Sequence, residues 1–93
     1  MSADAHDHIR ARVRGLLISL AAQLPPATVG IVDELLDANE QGIALEILSE
    51  MLVESKARIS PELMTVFIDI VDEMQLDRVN VERLRPLVTN AEP

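Results

Sequence analysis

The sequence predicts an all-α protein, a compact bundle of four to five short antiparallel helices forming one domain over residues 1–93. Three observations lead there. Apolar residues recur at spacings of three and four through most of the chain, which places them on one stripe of a helix. No stretch alternates apolar and polar residues over more than four positions, as a half-buried strand does. Ser60-Pro61-Glu62 reads as a helix start: serine caps, proline sits at the first helical position at no hydrogen-bonding cost, and glutamate suits the positive end of the dipole.

The first helix is expected from about Asp4 to Gln23, with Ile9, Val13, Leu16, Leu17, Leu20 and Leu24 in its stripe and Arg10 and Arg14 beside it. It must stop at Pro25-Pro26, because a residue before proline is pushed out of the helical region. A second helix spans Ala27 to Ala38, burying Val29, Val32, Leu35 and Leu36, with Gly30 weakening it by about 1 kcal/mol relative to alanine. Asn39 reads as the N-cap of a third helix, Glu40 to Glu54. Its arc of Ile43, Ala44, Ile47, Leu48, Met51 and Leu52 is wide enough for a central position. A fourth helix runs from Pro61 to about Gln75, burying Leu63, Val66, Phe67, Ile70, Val71 and Met74. Asn80 is the expected cap of a short fifth helix, Val81 to Leu87, which Pro86 cuts short. Residues 1–5 and 89–93 are expected to fray.

Composition excludes several classes of function. Without cysteine there is no disulfide, thiolate zinc site or cysteine nucleophile. A net charge of −8 and a single aromatic residue, Phe67, argue against a nucleic-acid partner, which asks for cationic side chains and stacking surfaces. The longest nearly apolar run, Leu16 to Ala22, falls well short of the roughly 20 residues that cross a bilayer. No apolar signal-type core follows the polar N-terminus, so the expected address is the cytoplasm, with no membrane partner. Both histidines, His6 and His8, lie near the N-terminus. With Asp4 and Asp7 they make at best a weak metal site, and a frayed terminus explains them better. No histidine stands downstream to activate Ser19, Ser49, Ser55 or Ser60, and Gly15, Gly30 and Gly42 are too scattered for a phosphate loop. Acyl carrier proteins share this size and charge, but their Asp-Ser-Leu motif is missing: Ser19-Leu20 follows Ile18. The expectation is a protein that is not an enzyme and needs no cofactor or metal.

Charge is unevenly placed. Residues 31–77 carry twelve acids and two bases, while each flank is slightly basic. Glu46, Glu50 and Glu54 are successive i, i+4 neighbours and form one ridge on the third helix. Like-charge neighbours at that spacing cost about 0.2–0.5 kcal/mol per pair, and no base within the helix offsets them. Asp69, Asp72 and Glu73 repeat the arrangement on the fourth helix, and Asp33, Glu34, Asp37 and Glu40 surround the turn before the third. A solvated face explains any one carboxylate, with Arg10, Arg14, Arg83 or Arg85 as pairing partners. The concentration as a whole projects a field that steers a basic partner to the surface.

The stretch Leu35-Leu36-Asp37-Ala38-Asn39-Glu40-Gln41-Gly42-Ile43-Ala44-Leu45-Glu46-Ile47-Leu48 resembles the central motif of MafI-type immunity proteins. Ile59-Ser60-Pro61-Glu62 and Glu73-Met74-Gln75-Leu76-Asp77 also resemble that pattern, which often has Met-Gly-Leu at the latter place. The likeness covers roughly residues 29–85. It implies a small acidic helical antidote, encoded beside a polymorphic toxin in bacteria, that binds the toxic domain and blocks it. Many such toxins are nucleases with a basic cleft, which a ridge of carboxylates fits as a mimic of the phosphate backbone. The partner-binding residues expected are Glu46, Glu50 and Glu54 with Asp37 and Glu40, and secondarily Asp69, Asp72 and Glu73. The partner is then a cognate protein toxin with a basic surface, and homo-oligomerisation is allowed but not required.

A rival expectation is a helical interaction or regulatory module that self-associates or binds an amphipathic helix. It rests on apolar residues near the edges or outside of the stripes (Ile18, Ile43, Val53 and Ile68) and on the four methionines, Met1, Met51, Met64 and Met74, as adaptable contacts. A helix-turn-helix DNA binder would need a basic recognition helix, and no helix here is basic enough.

Overall fold

In the computed structural model, which describes residues 2–89 and their side chains from Asp7 onward, five α-helices follow one another through short connections. They are α1 (Ser2–Leu20), α2 (Pro26–Asp37), α3 (Gln41–Glu54), α4 (Pro61–Glu73) and α5 (Val79–Leu84), with 3-10 turns at Ala21–Gln23 and Arg85–Leu87. The all-α bundle expected from spacing is what forms, and no strand occurs among the described residues.

The apolar stripes become one core. Val13, Leu16, Leu17 and Leu20 of α1 join Val32 and Leu36 of α2, Leu45, Leu48 and Leu52 of α3, and Met64, Phe67, Ile70 and Val71 of α4. Val81 and Leu84 of α5 close it. Fully burying each large aliphatic side chain stabilises the fold by about 1.5–3 kcal/mol. Phe67, the sole aromatic, is buried with them. The wide arc of α3 has the consequence expected of it: this helix packs against α1, α2 and α5. Ser49 is fully buried there, its hydroxyl donating to the Leu45 carbonyl at 2.7 Å.

Helix starts follow the sequence at α4, with corrections at α2, α3 and α5. Ser60 caps α4 as expected, its Oγ accepting from the Leu63 N–H at 3.1 Å. Leu24 is extended before Pro25, and α2 opens on Pro26, one residue earlier than expected. Asn39, however, does not cap α3. It stands at φ 65° and ends α2, where the Glu40 N–H reaches back to the Leu35 carbonyl and the Asn39 N–H to that of Leu36. This is a Schellman stop, and asparagine tolerates its left-handed position. Lys56 at φ 51° ends α3 with the same pair of bonds, and so does Gln75 at φ 58° for α4. Asn80 does not cap α5 either: that helix begins at Val79, whose N–H donates to Asp77 Oδ1 at 3.0 Å.

Two polar ties join distant segments. The Gln23 side chain grips the backbone of Arg58, donating to its carbonyl at 2.9 Å and accepting from its N–H at 2.7 Å. Ile59 pairs with the segment after α5: its N–H donates to the Leu87 carbonyl at 3.0 Å, and its carbonyl accepts from the Thr89 N–H at 2.9 Å. Thr89, expected to fray, is held by this tie, whereas residues 90–93 lie outside the described residues. At the other end the backbone is helical from Ser2.

Candidate functional site

The outward side of α3 is set by what its inward side buries. With Leu45, Leu48, Ser49 and Leu52 against the core, Glu46, Glu50 and Glu54 fall on the solvent side, and all three are exposed. Among the described residues none of the three has a lysine, arginine or histidine nitrogen within 4.0 Å. Glu40, at the α2–α3 turn, is likewise exposed and outside any such pair.

The other four expected contact residues are exposed but held by arginines. Asp37 lies 3.0 Å from Arg14, which also holds Asp33 at 3.0 Å. Burial works against the Arg14 charge, but its hydrogen bonds to Asp37 and Asp33 and their attraction outweigh that and raise its pKa above the ordinary arginine value. Arg12 holds Glu73 at 3.1 Å and Asp69 at 3.8 Å, and Arg78 holds Asp72 at 2.7 Å. Two of these arginines, Arg12 and Arg78, were not singled out from sequence. The pairs of Arg14 join α1 to α2, those of Arg12 join α1 to α4, and that of Arg78 ties α4 to the turn before α5, whereas the ridge of α3 stands beside α5.

Two open grooves border that ridge. The larger, of about 460 Å³, runs between the start of α3 and the turn into α5, lined by Gly42, Ile43 and Glu46 on one side and Leu76, Asp77, Val79, Asn80 and Arg83 on the other. The second, of about 270 Å³, is lined by Glu50, Met51, Val53, Glu54 and again Arg83. Arg83 therefore stands between them, and its only side-chain bond among the described residues is a long one, 3.5 Å, to Asn80 Oδ1. Exposed apolar side chains lie alongside the acids: Ile43 is 46%, Leu76 38% and Val79 57% exposed. Sequence reasoning noticed Ile43 but missed Leu76, which sits in the turn after α4, and Val79, which opens α5 two residues before that helix was expected to begin.

A third groove, of about 370 Å³, lies between α1 and α2, lined by Leu17, Ile18, Ala21 and Val29 with the Arg14–Asp33 pair at its edge. Ile18 there is 71% exposed. Val53 and Ile68, expected like it near the edges or outside of the stripes, lie at those edges and pack half-buried against the core.

Among the described residues no cluster of three histidine, aspartate or glutamate side chains is placed to hold a metal ion. Of the N-terminal group, Asp7 is taken by Arg10, His8 is exposed, and the side chains of Asp4 and His6 lie outside the described residues. No described helix is long and apolar enough to cross a membrane. No family model, curated protein or solved structure matches this chain.

Proposed function

We propose that this protein is an immunity protein, which binds a cognate bacterial toxin domain in the cytoplasm and neutralises it through an acidic helical surface. A nuclease is the toxin class that suits it, because a cleft built to hold phosphates is lined with cations. One observation carries the reading: Glu46, Glu50 and Glu54 form an exposed ridge with no base of the described chain within 4.0 Å of their carboxylates. Three carboxylates on one helical ridge repel each other at some cost to the free protein, and a cationic partner relieves that cost on binding. The contact narrows accordingly to the α3 ridge with Glu40. Asp37, Asp69, Asp72 and Glu73 already hold arginines and play a supporting part.

The test is capture from the organism that makes the chain. The wild-type protein used as bait is expected to retain a toxic domain and silence it. The Glu46→Lys, Glu50→Lys, Glu54→Lys variant should lose that partner while keeping its helical circular dichroism. Undiminished capture by the folded variant removes the ridge from the interface.

A second reading, a helical module that self-associates, draws on Ile18 and on Ile31, 71% and 49% exposed. Light scattering separates the two: a stable homodimer that dissociates on Ile18→Ser supports the module, and a monomer supports the antidote.

A further inference from the structure

We infer that the groove between α3 and α5 is a docking site for an amphipathic helix of a protein partner, one whose apolar stripe is flanked by lysines or arginines. This deepens the immunity reading and rests on it for the partner's source. Three features of the groove converge. Its walls expose Ile43, Leu76 and Val79, which water solvates poorly and which an apolar stripe would cover. Its margin is acidic, with Glu46 and Asp77 at the larger opening and Glu50 and Glu54 at its continuation, against the single base Arg83. An occupant must therefore pair apolar residues with positive flanks, and an anionic or purely cationic segment matches only half of the surface.

Length sets the shape of the guest. The grooved face of α3 runs from Gly42 to Glu54, which at 1.5 Å per residue spans about 18 Å, three turns of an opposing helix. Arg83 lines both openings, and without an acidic partner it competes with an incoming cation for the same carboxylates.

A defined probe tests this on the intact chain: a leucine–lysine peptide of about 14 residues with an amphipathic helical pattern, long enough to exceed the groove. Its controls are the same composition scrambled, an all-lysine peptide, and a leucine–glutamate counterpart. Methyl resonances of Ile43, Leu76 and Val79 should shift with the amphipathic cationic peptide while that of Ile18 stays still. The double variant Ile43→Ser, Val79→Ser replaces only exposed side chains, so it should fold normally and bind at least tenfold more weakly. Arg83→Ala should tighten binding about threefold, the scale of one exposed charge contact.

Equal binding of all-lysine or scrambled peptide, or no effect of the double serine variant, overturns the groove. Those results leave the immunity reading standing, which falls only if no toxin is captured. A homodimer of the chain that the double serine variant breaks would also overturn the proposal, since a second copy would then own the groove.

Discussion

Lys56 and Gln75 hold left-handed backbone where a side chain crowds its own carbonyl, a cost of roughly 1–2 kcal/mol that glycine escapes. Lys56→Gly and Gln75→Gly should each raise stability in urea by about 0.5–1 kcal/mol after the added freedom of the unfolded chain is counted. Asn39→Gly should gain less, because asparagine already tolerates that region. Loss of stability in the first two would mean that their side chains make contacts outweighing the backbone cost. The misreading of Asn39 has the same origin: asparagine is favoured both at helix starts and at left-handed stops, and only the bonds to the Leu35 and Leu36 carbonyls decide between them. Gln23 was invisible for another reason. Its two bonds join residues 35 apart, and nothing local to Gln23 announces Arg58. Gln23→Ala should cost about 1 kcal/mol, the net of exposed hydrogen bonds, and amide exchange should quicken at Arg58 before anywhere else in the loop.

At the scale of the element, α3 serves two ends that oppose each other. Its inner side is the centre of the core, so Leu48→Ala, at a site with no exposure, should lower stability by about 2–5 kcal/mol in a denaturant titration. Its outer side is a row of like charges. Glu46→Gln, Glu50→Gln and Glu54→Gln together should therefore stabilise the free protein by about 0.4–1 kcal/mol at low salt, from two relieved i, i+4 repulsions, while weakening its partner. A destabilised triple glutamine variant would show that the ridge has attractive contacts within the chain. Helices of this kind are legible because burial imposes a period of 3.6, and α3 and α4 appear nearly where that period puts them. Ser60-Pro61 was decisive since both residues act on the backbone beside them, whereas the start of α5 depends on Asp77, two residues outside the helix.

Over the whole molecule, the acids divide by which helix lies next to them, and sequence has no access to that. Arg12 meets Glu73 across 61 residues and Arg14 meets Asp37 across 23, so α1 takes up charge from both α2 and α4 while the α3 ridge is left to solvent. Local charge counting put Asp37 in the first rank beside the α3 glutamates and Asp69, Asp72 and Glu73 in the second. Packing makes four of them partly spoken for. If the ridge steers the partner, association should slow several-fold between low and physiological salt, with dissociation changing less, when followed by stopped flow. A flat salt profile would assign recognition to the apolar side chains of the α3–α5 groove. Unfolding itself must be followed by backbone signals, as the chain has neither tryptophan nor tyrosine. The buried Phe67 turns that poverty to use: its ring protons are the only phenyl signals of the chain, and the ring can turn over only when its tightly packed neighbours momentarily make room. The linewidths of a single benzyl group thus clock how often the interior breathes.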